Sequence, residues 1–175
     1  MTDQKRYSSI STINHWVTAL LVVVMLALGY AAGAAPSEAI ENYVLGIHIS
    51  LGFFVLIFVA WRVLFRLYEG FPESLGKTAF ERWVAYAVHM AILILLALQV
   101  ATGPLYLFTE NECMDVFGWF SLCLPLGSLS VIHEPMEWSH VNVGMYLLPA
   151  LLILHFLGAV RHYAKSEKQE TPADM

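Results

Sequence analysis

Charged side chains are scarce in this chain. Asp, Glu, Lys and Arg make up only 13% of its 175 residues, against 58% hydrophobic ones, and mean hydropathy is positive. Basic residues are scarcer still, nine in all, and none falls between residues 7 and 61 or between 83 and 160. A surface that poor in Lys and Arg excludes nucleic-acid binding. The net charge of −5 is a segregated charge rather than the signature of a soluble binding module. There are two cysteines and no Cys-x-x-Cys pattern, so no thiolate metal knuckle is encoded. No internal repeat or low-complexity tract breaks the chain.

What is present instead is four long apolar stretches, read as 13–34, 43–66, 80–107 and 139–163. Each is long enough for a helix to cross a hydrocarbon core, which takes about 20 residues. The first carries His15 and Trp16 at its start and no cleavage-site signature, so it is expected to be a retained helix rather than a signal peptide. Together they predict an all-α membrane protein, a single domain over 1–175 built as a four-helix transmembrane bundle.

The basic residues set its orientation. Lys5 and Arg6 precede the first span, Arg62, Arg66, Lys77 and Arg82 lie around the turn joining the second to the third, and Arg161, Lys165 and Lys168 end the fourth. All nine fall on one side, which predicts both termini and the 67–79 loop in the cytoplasm; in a bacterium the membrane crossed is then the inner one. The opposite loops hold Glu38, Glu41, Glu110, Glu112, Asp115, Glu134 and Glu137, with no basic residue. The 35–42 connection, with Pro36, is short and suits antiparallel neighbours. The 67–79 loop, with Gly70, Pro72 and Gly76, reads as a plain turn. The 108–138 segment is far longer and mixes acids with Phe117, Trp119, Phe120 and Leu124, which favours a short interfacial helix over the bundle mouth. Cys113 and Cys123 fall in it. On an oxidising outer side they are either a disulfide or two free thiols.

Four histidines inside the spans fall at matching depths. His15 opens the first, His48 stands near the start of the second, His140 opens the last and His155 lies further along it. An ionisable or metal-binding group within a membrane segment is costly, so function is its default reading. His155 is fifteen residues beyond His140, about 22 Å along a helix. Depth therefore matches His48 with His140 on the outer side and His15 with His155 on the inner. Such pairs could hold two haems by bis-imidazole ligation, and with no attachment motif the haems would be non-covalent, b-type. Fifteen residues leave a straight helix about 60° out of register. Pro149 lies between the two histidines, and a kink or π-bulge there would turn both imidazoles back toward one face. Gly52 and Gly144 each follow a histidine of the outer pair by four residues. They make room for a flat macrocycle, or serve close helix packing.

Several local sequences carry a family resemblance: Asn14-His15-Trp16, Ile47-His48-Ile49-Ser50-Leu51-Gly52, Arg62-Val63-Leu64-Phe65-Arg66 and Arg161-His162-Tyr163. Over nearly its whole length the chain resembles the prokaryotic cytochrome b561 family, related to the cytochrome b subunits of nickel-iron hydrogenases and formate dehydrogenases. The resemblance implies a four-helix membrane bundle with two b-type haems on His15, His48, His140 and His155. It departs from the family pattern in the interval around Pro149 and in its acidic outer loop.

The remaining candidates have competing readings. His89, at the inner depth, is a bundle-interior histidine, an alternative ligand, or a quinone or proton contact. His162 sits at the cytoplasmic surface, where it could lie beside the inner haem. His133 with Glu134 and Glu137 is a solvated cluster or a metal site. Arg62 either snorkels to the interface or pairs with a haem propionate. Trp16, Tyr43, Trp61, Trp83, Tyr106 and Trp138 mark the interfacial belts.

With both axial positions filled, such irons pass electrons and bind no substrate. The expected function is electron transfer in a respiratory chain, between the quinone pool and an outer-side partner. That partner is a soluble redox protein or, as in some members of the resembled family, superoxide, which would make the chain an oxidoreductase reducing ubiquinone. The acidic outer face repels an anion and favours a basic protein. A histidine-lined metal or proton transporter is the alternative from another class, and a purely structural anchor a third.

Overall fold

A computed structural model describes residues 9–70 and 78–170, with side chains described as far as residue 164. Lys5, Arg6, Pro72, Gly76 and Lys77, the side chains of Lys165 and Lys168, and residues 171–175 lie outside the described residues. Four helical spans are long and apolar enough to cross a membrane. They are α1 (Ser9–Gly33), α2 (Glu38–Glu69), α3 (Ala79–Thr109) and a composite fourth span. That span runs through α4 (His133–Asn142), a π turn (Val143–Leu147) and α5 (Leu148–Glu170).

Local chemistry sets the helix ends. The Ser37 hydroxyl caps α2 by accepting from the Ile40 amide at 3.4 Å, and Glu38 and Glu41 lie in its first turn, where the helix dipole favours anions. Gly70, at φ 79°, closes it, and its amide donates to the Arg66 carbonyl. Thr78 and Glu81 form a capping box on α3, with bonds of 3.1 and 3.4 Å. All described Arg residues gather at one end of the bundle, hereafter the basic end. There Arg161 on α5 pairs with Glu81 on α3 at 3.2 Å. Exposed to this degree, the pair adds little stability.

The helices pack α1 on α2, α2 on α3, and α3 on α4 and α5. Most of their surface stays apolar and uncovered, as expected of lipid-facing helices. The buried centre is a cluster of Val22, Val55, Val59, Leu96 and Leu148. By residue count it separates the two depths at which the histidines lie.

The acidic end differs from the expected interfacial helix. Residues Cys113–Val116 (β1) and Phe120–Cys123 (β2) form an antiparallel hairpin in which Cys113 pairs with Cys123, and the two are joined as a disulfide. Phe117 and Gly118 take φ of 53° and 70°, and the Trp119 amide donates to the Val116 carbonyl at 2.9 Å. Positive φ at both central positions defines the type I′ turn that suits a hairpin's twist. The Asp115 carboxylate accepts from the Gly118 amide at 2.8 Å and from the Ser121 hydroxyl at 3.0 Å. Met114 and Val116 turn inward onto Phe108, Ile49, Phe53 and Phe54. A 3-10 segment, Gly127–Ile132, then leads into α4, which starts several residues before the predicted 139. Pro135 is tolerated there because the first helical turn needs no amide donors.

The π turn lies within the interval flagged by Pro149. The Leu148 amide donates five residues back, to the Val143 carbonyl. The extra residue makes fifteen residues turn roughly as fourteen would, leaving about 40° of mismatch on the other side of register instead of about 60°. Pro149 has no N–H for the Met145 carbonyl four residues earlier. The Tyr30 hydroxyl of α1 donates to that carbonyl instead. A backbone acceptor left open at membrane depth is thereby satisfied.

Candidate functional site

The four span histidines meet in two pairs. At the acidic end the rings of His48 (α2) and His140 (α4) face each other with centroids 6.1 Å apart and planes at 90°. At the basic end His15 (α1) and His155 (α5) stand 6.4 Å apart with planes at 81°. His89 on α3 is closer to His155, at 5.0 Å and 69°. His162 is exposed near the basic end.

The acidic-end pair is held mainly by backbone and uncharged groups. His140 Nδ1 lies 3.2 Å from the Gln99 carbonyl and 3.3 Å from the Thr102 hydroxyl, both on α3. A carbonyl only accepts, so Nδ1 carries the proton and Nε2 the lone pair, the tautomer a metal ligand needs. The Gln99 side-chain amide donates back to the His140 carbonyl at 3.0 Å, just before the π turn. Gly103 makes the approach possible, since a Cβ there would sit 2.9 Å from His140 Cε1. Gly144 does similar service for Gln99, whose Nε2 would be 2.6 Å from a Cβ at 144, whereas a Cβ at Gly52 would touch only the tip of Met25 at 3.6 Å. His48 Nδ1 is buried, and among the described residues it makes no hydrogen bond. Two residues on, the buried Ser50 hydroxyl donates to the Asp115 carbonyl at 3.0 Å and accepts from the Phe117 amide at 3.1 Å. It thus fastens the hairpin to α2 close to His48.

The basic-end pair is held by side chains, one of them charged. Arg62 Nη2 lies 3.0 Å from His15 Nδ1, and its Nη1 donates to Asn14 Oδ1 at 3.5 Å. Arg66 is buried, donating to the Ser11 hydroxyl at 3.0 Å and to the Gly70 carbonyl at 3.2 Å. Ser11, Asn14 and Thr18 make a buried polar stripe on α1, in which Asn14 Nδ2 and Thr18 Oγ1 lack partners.

A first-row metal holds an imidazole nitrogen at about 2.0–2.1 Å, so two bonds in line, plus a ring radius on each side, separate the centroids by roughly 6 Å. Both facing pairs have that spacing. Each brings two imidazoles together, and among the described residues no group of three or more His, Cys, Asp or Glu is placed to hold a metal ion by itself. The arrangement therefore suits a metal that brings its own planar ligand set. His89, with its centroid 5.0 Å from that of His155, lies closer to it than His15 does and stands beside the pair.

The rim of the acidic end holds the other histidine cluster. His133 Nε2 faces Glu110 at 3.2 Å and Glu137 at 4.0 Å, its Nδ1 meets the Thr109 hydroxyl at 3.1 Å, and Tyr106 lies against its ring. Glu110 thus takes the place beside His133 that the sequence suggested for Glu134. Sequence reasoning passed over Gln99, Thr102 and Gly103. The available signal was two polar side chains in an otherwise apolar span, where such groups are expensive.

The family model for prokaryotic cytochrome b561 matches residues 6–171. "Cytochrome b561 homolog 2" of Escherichia coli strain K12 is 26% identical, covering 91% of this chain and 85% of its own length. A probable Ni/Fe-hydrogenase B-type cytochrome subunit of Bradyrhizobium diazoefficiens is 23% identical, covering 89% of this chain and 77% of its own.

Proposed function

Because the chain belongs to the prokaryotic cytochrome b561 family, and is thus a membrane b-type cytochrome of electron transfer, we propose that it is a di-haem relay between an outer-side redox partner and the quinone pool. His48 and His140 hold the haem at the acidic, outer end. His15 and His155 hold the one at the basic, cytoplasmic end. The observation that carries this reading is the facing of two histidine pairs at the spacing of two in-line metal–imidazole bonds. A b-type haem held between two such histidines would supply one-electron transfer.

The protein's own groups do the positioning. Gln99 and Thr102 fix the His140 ring, and Gly103 leaves it room. Arg62 and Asn14 lie against His15, where the guanidinium can also meet a propionate. Gly52 and Gly144 remain candidates for haem contact, Gly144 acting through Gln99. His89, beside His155, and His162, near the basic end, are the side chains offered to the quinone or the inner haem environment. Segregation of Lys and Arg supports a bacterial inner-membrane protein, one domain over 1–175, with both termini cytoplasmic. A phosphatase reporter active near residue 125 and inactive at residue 175 is expected, and equal activity at both refutes the orientation.

One observation supports a soluble protein over superoxide as the outer-side partner. A groove of about 320 Å³ lined by Glu134, Glu137, Trp138, Val141 and Asn142 flanks the turn that carries His140. Its carboxylates favour a cationic soluble redox protein and repel superoxide. The holoprotein should exchange electrons with a lysine-rich c-type cytochrome at a rate that falls with ionic strength, and poorly with the same cytochrome after lysine acetylation. Quinone reduction driven efficiently by superoxide, with no response to the cationic cytochrome, reverses the choice. Purified protein that stays colourless after expression with ample haem overturns the relay and returns the transporter reading.

A further inference from the structure

The two histidine pairs differ in the charge that touches them. At the acidic end, His140 Nδ1 meets a backbone carbonyl and a hydroxyl, and among the described residues the hydrogen-bond partners of that pair are all uncharged. A carbonyl acceptor at Nδ1 pushes electron density into the ring and makes the imidazole a stronger donor. That stabilises an oxidised iron, as do the carboxylates of Glu110, Glu112, Asp115, Glu134 and Glu137 around the same end. At the basic end, a guanidinium lies 3.0 Å from His15 Nδ1. Arg stays protonated, so it places a full positive charge beside the ring. Arg66, also buried, adds a second guanidinium close by. Metal ligation through Nε2 puts the His15 proton on Nδ1, so Arg62 then turns to another acceptor. Its bond to Asn14 keeps the charge beside the ring.

Reduction lowers the charge on iron by one, and a nearby cation favours the reduced form. We infer that Arg62 is a positioning residue for redox potential: it raises the potential at the His15–His155 site above that at the His48–His140 site, so that an electron entering at the acidic end settles at the basic end. The inference rests on the di-haem reading above and adds a direction to it. The transfer oxidises the outer iron as it reduces the inner one. A one-electron soluble donor would supply electrons outside, and quinone, taking two of them with two protons per quinol, would remove them inside.

Spectroelectrochemical titration of the holoprotein in lipid nanodiscs tests this without any turnover assay. Wild type should titrate in two waves. Arg62→Gln should move the higher wave down and leave the lower one in place, changing the reduced-to-oxidised ratio of the inner haem at least tenfold at a fixed poise, 59 mV for one electron. Arg62→Lys, which keeps the charge, should restore at least half of that shift. A second variant covers the case in which Arg62→Gln does not assemble: His48→Ala, lacking the outer haem, should leave one wave at the higher position. A higher wave unmoved by Arg62→Gln, or a lower wave surviving in His48→Ala, overturns the inference while leaving two haems in place. One haem per wild-type chain, seen by haem quantitation before any titration, instead refutes the di-haem reading and takes the inference with it.

Discussion

The acidic-end and basic-end histidine pairs share one spacing and are built by opposite means. Around His140 the work is done by backbone: the Gln99 carbonyl, a glycine at 103, a π turn, and a disulfide-closed hairpin fastened through Ser50. Around His15 it is done by long side chains, Arg62 and Arg66, anchored on Asn14 and Ser11, with His89 set against His155. Backbone and disulfide hold a ring by geometry and leave it electrically neutral. Guanidinium groups hold it more loosely and give it a field. The comparison teaches that two histidine pairs of one spacing can sit in opposite fields, set by the residues that surround them.

The largest expected effect breaks the comparison outright. His48→Ala or His140→Ala should remove one of two spectral components and spare the other, and His15→Ala or His155→Ala should do the reverse. The members of a cross-pair such as His15 with His140 would lie about 20 Å apart along the bundle, beyond the reach of one iron. Loss of the inner component in His89→Ala with its retention in His155→Ala would reassign the ligand to α3.

Next in size is the hairpin. Replacing Cys113 and Cys123 with Ser opens a loop of sequence separation 10. It should cost about 2–4 kcal/mol of local stability. Hydrogen exchange should quicken over 110–126, and the outer component should bleach at lower temperature while the inner one holds. Equal loss of both would mean that the hairpin stabilises the whole bundle and not the acidic end.

How much of this was legible follows from which forces leave a mark on sequence. The spans could be read because lipid demands long apolar runs, and the depth of each histidine follows from counting along them. The turn before Pro149 was foreshadowed by an interval that misses a whole number of helical turns. Its completion by Tyr30 was not, because hydropathy does not say which α1 side chain reaches the Met145 carbonyl. The hairpin was missed for a similar reason. Inward Met114 and Val116 alternate with outward Cys113 and Asp115 over only four residues, too short a run for period two to stand out against aromatic neighbours. Gln99 and Thr102 were visible as polar residues in an apolar helix, but their partner, His140, is a tertiary fact.

Smaller effects sharpen the comparison. Gly103→Ala places a Cβ 2.9 Å from the His140 ring. That ring is pinned on its other contacts, so overpacking should cost about 1–3 kcal/mol. Gly144→Ala meets the end of the Gln99 side chain at 2.6 Å, which can swing aside for the loss of its bond to the His140 carbonyl, and should cost less. Thermal bleaching of the outer component ranks the two, and the opposite order would mean that Gly144 borders the haem directly. Smallest of all, His89→Ala should retain both haems and shift the electron paramagnetic resonance signal of the inner one alone. A shift in the outer signal would contradict the separation of the sites.

The most direct measurement is a reduced-minus-oxidised absorption spectrum of the purified protein with haem quantitation per chain and acid–acetone extraction. Two haems per chain, with b-type bands and complete extraction, are predicted. One haem per chain, haem that resists extraction, or no haem at all would contradict the account.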